Sequence, residues 1–542
     1  MLDELKKWLR PKDDQLDWLW GVGLLVAALV LYTLNLGNLP LRDWDEGTIA
    51  QVAKEIWLAG PDSSTWLHPT LWGEPYLNKP PLIHWLIAAA YTLGGVNEWT
   101  SRLPSALLTA CSVPLLYGVG REIFHRRTAA VFSALVYLTM LPVVRHGRLA
   151  MLDGAILCFF IAMMWCLLRS RRNLRYALGV GIALSLICLT KGVMLGFLLG
   201  AIAILFLVWD TPRLLITPAL WLGILLGGVP VALWYGAQWL YYGTSFLQSN
   251  VVNQSLSRIW ESVEANTGAP WFYLLEVVKY GFPWLIFLPL ALRDAWQNRN
   301  LNWAKLVLVW SGVYFITVSL MATKLPWYIL PLYPALALAI GRFLTDLWDH
   351  GHREGLTELP VSYSAIWVGI FGGLALIAWA GVVYFGQFSP QPEPDLQLVM
   401  AGIGVTLTAV TLLIARDDPQ FLLILIWGTY ISLCLLMMSS HWVWELAEAH
   451  PVQPVAQLVR EGTPPGQTIY TSNPINRPSL SFYSDRLVQP ASSERMVRLW
   501  QRRRAPFLLL DEAALQTLNL ENSVILGRIE GWMLVTRSDA EE

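Results

Sequence analysis

Charge is scarce in this 542-residue chain: 38 basic and 39 acidic side chains make up 14% of it, against 55% hydrophobic residues. Soluble domains carry about 25% charged residues, so a water-exposed globular class is excluded and a polytopic helical membrane bundle is implied. A net charge of −1 points to no nucleic-acid partner. Cysteine is rare too. Cys111, Cys158, Cys166, Cys188 and Cys434 all sit in apolar runs without metal-ligand spacing and read as small packing residues. Internal repeats, a Gly-rich phosphate loop and a cleavable signal peptide are likewise not evident.

What the chain has in excess is tryptophan, 29 residues, whose indole favours the membrane–water boundary. Apolar runs that can cross a bilayer lie near 18–36, 101–120, 127–144, 149–168, 175–190, 192–209, 214–236, 271–292, 303–322, 326–347, 362–387, 396–415 and 420–439, thirteen in all. The first follows Lys6, Lys7, Arg10 and Lys12 and reads as a signal anchor with a cytoplasmic start. Pro81–Gly95 is apolar but short, and is expected to lie along the interface.

Charge tests that choice. With 81–95 left out, the arginine-bearing loops at 121–127, 169–175 and 293–299 all fall on the N-terminal side, the positive-inside pattern. Loops 37–100 and 237–270 and everything after Ser440 then lie outside. The expected division is a transmembrane domain, 1–440, and a soluble domain, 441–542. In the latter, helical patterns at Val452–Arg460 and Glu494–Arg504 alternate with strand patterns at Gln467–Thr471 and Pro506–Asp511. Val524–Leu526 and Trp532–Val535 form a hairpin pattern, giving a small α/β extracytoplasmic domain.

The outer loops hold the chemistry. Trp44-Asp-Glu46 places two carboxylates about 100° apart on any helix, so one is expected to act and the other to be held by a partner. Lys79 precedes Pro80-Pro81, which restrict its backbone. Arg145, Arg148, Lys191 and Lys324 stand at outer span ends, where the inside rule disfavours them. Each alone reads as a cation snorkelling to headgroups; four on one face with an acidic loop read as a site. Cations of this kind can hold a lipid-linked phosphate and stabilise its departure, while a carboxylate takes a proton from an incoming hydroxyl.

Six motifs follow in order: Trp44-Asp-Glu46, Lys79-Pro-Pro-Leu82, Arg102-Leu-Pro-Ser105, Arg148-Leu-Ala-Met-Leu-Asp153, Thr190-Lys-Gly192 and Lys324-Leu-Pro-Trp-Tyr-Ile-Leu-Pro331. In these the chain resembles the C-type membrane glycosyltransferases, above all the aminoarabinose transferases and more distantly the protein O-mannosyltransferases, over roughly residues 18–347. The resemblance implies an inverting transfer of a sugar from a polyprenyl-phosphate donor to an acceptor hydroxyl on the non-cytoplasmic face. It implies Asp45 as the catalytic base and Lys79 and Arg258 (in Asn253-Gln-Ser-Leu-Ser-Arg258) on the donor phosphate, with Lys191 at a cavity position from which it is expected to join them. Glu46, Arg102, Arg148, Asp153, Lys324 and Tyr328 are expected around the substrate cavity. The expected setting is a bacterial inner membrane, with the N-terminus cytoplasmic and the tail domain periplasmic.

Three positions depart from the aminoarabinose transferase pattern. Thr48 replaces an arginine, while Asn78 and Ser255 replace residues resembling structural zinc ligands, so no zinc is expected. No cofactor is called for, although one carboxylate beside a phosphate leaves room for a weakly held divalent ion. The acceptor is a lipid, glycan or protein. The competing reading, a transporter or flippase of a lipid-linked sugar, calls for internal repeats or mid-span acids, and neither is found. A structural or interaction protein acting through the tail leaves the ordered motifs unexplained.

Overall fold

The computed structural model describes residues 13–262, 266–352, 363, 365–443, 452–502 and 506–538. The basic residues expected before the first span fall outside the described residues. The chain divides into two compact units. One comprises Met1–Leu36, Leu77–Ile83 and Leu103–Trp442; the other comprises Gly37–Tyr76, His84–Arg102 and Val443–Glu542. Most of the first outer loop thus clusters with the tail domain, while its segment Leu77–Ile83 belongs with the apolar helices.

The larger unit is helical because its segments are apolar on every face, and only a backbone bonded within itself survives in hydrocarbon. Among the described residues nine helices are long and apolar enough to cross a membrane, and the bent pair Arg127–Leu138 and Leu141–Arg148 would make ten. Two further expected spans are helices of 17 and 16 residues, Asp153–Arg169 and Tyr176–Lys191. The span expected near 271–292 is corrected to two helices, Phe272–Tyr280 and Leu288–Gln297. Pro283 and Pro289 lack the amide hydrogen that a continuous helix needs. Helices Tyr176–Lys191 and Pro218–Tyr242 touch backbone to backbone: a Cβ on Gly181 or Gly227 would overlap the carbonyl of Gly223 or Gly181. Small residues four apart permit such contact, and dispersion between the helices repays it.

The smaller unit holds the expected α/β fold. Strands β1 (Thr70–Leu71) and β2 (Glu74–Pro75) form a short antiparallel pair in the first loop. The tail contributes β3 (Thr468–Thr471), β4 (Leu487–Pro490), β5 (Leu508–Asp511), β6 (Ser523–Ile529) and β7 (Trp532–Arg537) to one sheet of order β4-β3-β5-β7-β6. Strand β3 runs parallel to β4 and β5, and β7 runs antiparallel to β5 and β6. Alternation along each strand supplies two cores: Ile469, Leu509 and Leu534 pack with Val455 and Val459. Tyr470, Leu508, Leu510 and Met533 pack with Met496 and Trp500. Sequence patterning missed β4 and the helix Pro478–Ser484 before it.

Short helix Leu82–Gly94 is 13 residues long and apolar, too short to be counted as a span, as its composition indicated.

Candidate active site

The acidic loop of the smaller unit winds as a π-helix over Asp43–Gly47, closed by Gly47 N donating to Arg42 O at 2.8 Å, and runs on as the α-helix Thr48–Ala59. Its carboxylates are sorted by partner. Glu46 accepts from Nε and Nη2 of Arg102, each at 2.8 Å, and from the backbone N of Arg42 at 3.0 Å. Arg102 gives its other donors to Leu39 O and Pro40 O at 2.8 and 2.9 Å. Both side chains are wholly buried. Asp43 is also buried, bonded to Arg477 and Ser479. Asp45 alone of the three keeps an opening to solvent, its side chain 21% exposed and 3.5 Å from Arg42 Nη2. Of the adjacent pair, Glu46 is the carboxylate held by a partner and Asp45 the more exposed one. Glu46 and Arg102, both expected around the substrate cavity, are paired with each other.

In the larger unit, a second π-helix, Leu247–Leu256, faces the segment around Lys79. Asn250 Nδ2 donates to Leu77 O at 3.0 Å and to Asn78 O at 3.3 Å, which fixes the backbone just before Lys79. Lys79 Nζ donates to Gln254 Oε1 at 3.0 Å. Arg258, one turn beyond Gln254, donates to the same oxygen at 3.1 Å and to Tyr328 Oη at 2.7 Å. Lys191 Nζ lies 5.3 Å from the centre of the Tyr328 ring and 2.6 Å from Asp153 Oδ1. Three cations and one carboxylate thus form a continuous chain of contacts, net positive and suited to an anion. Lys79 is half-buried. Loss of hydration, followed by repulsion from Arg258 and Lys191, lowers its pKa to about 7.

Two residues expected around the cavity bond to backbone carbonyls. Arg148 is wholly buried, donates to Leu31 O at 2.8 Å and Leu34 O at 2.6 Å, and stacks 4.4 Å from the Trp442 ring. Lys324 donates to the carbonyls of Val318, Ser319 and Met321 at 3.2, 2.6 and 2.6 Å. Both donate to carbonyls at helix ends, which lack intrahelical partners and favour cations. Gln254 and Asn250 were not singled out from the sequence, although Gln254 lies inside the Asn253–Arg258 motif, four residues before Arg258.

Residues 78–235 match the family described as dolichyl-phosphate-mannose-protein mannosyltransferase. The undecaprenyl phosphate-alpha-4-amino-4-deoxy-L-arabinose arabinosyl transferase 2 of Pseudomonas fluorescens is 30% identical over 402 residues, 71% of this chain and 70% of its own length. The chain belongs to the C-type membrane glycosyltransferases. An arabinosyl transferase of the same description from Pseudomonas aeruginosa is 29% identical over 399 residues, 70% of this chain and 69% of its own. The crystal structure of ArnT from Cupriavidus metallidurans bound to undecaprenyl phosphate shares the fold, with a TM-score of 0.76 at 18% identity over 95% of this chain and 98% of that one. As a member of this superfamily the chain transfers a sugar from a polyprenyl-phosphate donor, and nothing found supports the transporter reading.

The transferase also carries an apolar groove of about 660 Å³ between the helices Tyr176–Lys191, Val193–Asp210 and Pro218–Tyr242. Cys188, Val193 and Tyr235 line it, and the first two flank Lys191 in sequence. Tyr235 Oη donates to Asn250 Oδ1 at 3.2 Å. Among the described residues no group of three or more His, Cys, Asp or Glu side chains is placed to hold a metal ion.

Proposed function

We propose that this glycosyltransferase holds the phosphate of its polyprenyl-linked donor with Lys79 and Arg258, aided by Lys191, and that Asp45 is the base for the acceptor hydroxyl. The observation that carries the reading is the chain Lys79–Gln254–Arg258–Tyr328–Lys191–Asp153, in which two cations converge on one neutral acceptor oxygen. A phosphate oxygen can replace that amide oxygen and satisfy the same donors with charge.

The hydroxyl proton passes to Asp45 as the acceptor oxygen bonds to the anomeric carbon. The bond from that carbon to the phosphate oxygen breaks, and its electron pair leaves on the polyprenyl phosphate. Attack opposite the leaving group inverts the carbon. Cations at the departing phosphate stabilise charge that grows only as the bond breaks, which is where binding accelerates the step. The apolar groove beside Lys191 suits the first isoprene units of the donor. The transferred sugar is a pentose or hexose. The reaction runs on the periplasmic face of a bacterial inner membrane, with the N-terminus cytoplasmic.

The test is mass spectrometry of lipid-linked sugars in cells lacking the protein. One polyprenyl-phosphate sugar should accumulate while one envelope product loses a sugar residue. The wild-type chain should reverse both changes and Asp45→Asn neither. An unchanged lipid-linked sugar pool, or full complementation by Asp45→Asn, overturns the reading.

A further inference from the structure

The short helix Pro478–Ser484 of the α/β domain touches the acidic π-helix before, within and after its turn. Ahead of the turn, Tyr483 Oη accepts from Leu41 N at 2.9 Å and donates to Glu98 Oε1 at 2.9 Å. Within it, the buried carboxylate of Asp43 is bonded to Ser479 and to Arg477. Beyond it, buried Lys54 donates to Phe482 O at 2.7 Å and to Asp485 Oδ1 at 2.5 Å. The fit leaves no room for adjustment, since a Cβ on Gly47 would lie 2.7 Å from Ser479 N. All these residues belong to one compact unit.

We propose that Arg477, Ser479 and Tyr483 are positioning residues for the transfer: the tail domain sets the orientation in which the π-helix presents Asp45. The physical reason lies in the sorting of the carboxylates. Asp43 and Asp45 are two residues apart on a wide, weakly bonded turn. Left without partners, Asp43 would compete with Asp45 for the Arg42 guanidinium, and the turn could relax towards an ordinary α-helix. Anchoring Asp43 from one side and Glu46 from the other, through Arg102, leaves Asp45 a single direction. A base misplaced by about 1 Å costs on the order of a hundredfold in rate, and supporting contacts of this kind hold such a group in place.

This inference rests on Asp45 acting as the base. The test uses the full-length protein in proteoliposomes with its polyprenyl-phosphate sugar and follows Arg477→Met, Ser479→Ala, Tyr483→Phe and Asp45→Asn together. Arg477→Met combined with Ser479→Ala should lower kcat about 30- to 100-fold while moving the donor KM less than about threefold. Arg477→Lys alone should restore most of the rate. Tyr483→Phe, which removes only a hydroxyl, should lower kcat in the same sense and serves if the double variant does not fold. A kcat per folded molecule near wild type in these variants, with Asp45→Asn inactive, overturns the positioning role alone. Loss of kcat and donor affinity in parallel, without rescue by Arg477→Lys, overturns it equally. Normal turnover by Asp45→Asn overturns the base assignment instead.

Discussion

Lys79 and Arg258 share one acceptor: Oε1 of Gln254 receives Nζ of the lysine at 3.0 Å and Nη2 of the arginine at 3.1 Å. Two cations on a neutral amide oxygen are under-compensated, and the charge they lack is what a donor phosphate would bring. Replacing the amide with a carboxylate should therefore inhibit. Gln254→Glu puts a resident anion where the phosphate is proposed to sit, and like charges in one site cost several kcal/mol. Its donor KM should rise at least about tenfold more than that of Gln254→Ala, which loses only a neutral acceptor worth roughly 1 kcal/mol. Steady-state kinetics over donor concentration decide it. Equal KM values for the two variants would remove the phosphate from this position.

The lowered pKa of Lys79, about 7, makes donor capture pH-dependent. Burial and the neighbouring cations disfavour its charged form in the empty site, whereas a bound phosphate favours it. Binding above pH 7 therefore takes up a proton. Below about pH 7 the lysine is already charged and affinity is flat; above it, affinity should fall by up to roughly tenfold per pH unit until the pKa of the bound state is reached. Lys79→Arg stays protonated throughout, so its donor affinity should lose this slope even if it binds less tightly. A sloping wild-type profile unchanged in Lys79→Arg would assign the proton to another group.

Adjacent carboxylates should give opposite phenotypes. Asp45→Asn removes the proposed base from a partly exposed position and should lower kcat about 10²- to 10⁴-fold, with the thermal midpoint nearly unchanged. Glu46→Gln breaks a wholly buried pair with Arg102 and should cost about 3–5 kcal/mol of stability. Thermal melts and kcat measured on the same preparations separate the two. A stable Glu46→Gln protein would contradict the burial seen here.

Helix length and apolarity were legible in the sequence, and direction around a helix was not. Apolar run length located most of the long helices, and ordered motifs picked out Lys79, Asp153, Lys191, Arg258 and Tyr328, which the structure joins in one cluster. Arg148 and Lys324 carried the same signal, a cation at an outer span end. They differ only in aim, because free carbonyls at nearby helix ends take their donors. Proline disclosed the break near Pro283 once the structure showed it, but an apolar run of normal length concealed it beforehand. Least legible was the grip of Arg477 on Asp43, 434 residues apart in sequence, since nothing local to either segment encodes the other.

The apolar groove invites a steric test on the donor's tail. Gly228 lines it, and a Cβ built there meets nothing within 4 Å, unlike Gly181 and Gly227, whose added Cβ would strike backbone. Gly228→Phe should therefore fold and pack as the wild type does while filling space on the groove wall. If the first isoprene units lie there, the variant displaces several buried methylenes at roughly 0.8 kcal/mol each. The KM for a full-length polyprenyl donor should rise tenfold or more, while that for a donor whose chain is too short to reach the groove should stay unchanged. The ratio of the two KM values is the readout, because it cancels any general loss of activity. An unaltered ratio would leave the groove to bulk lipid and move the donor chain to another face of the bundle.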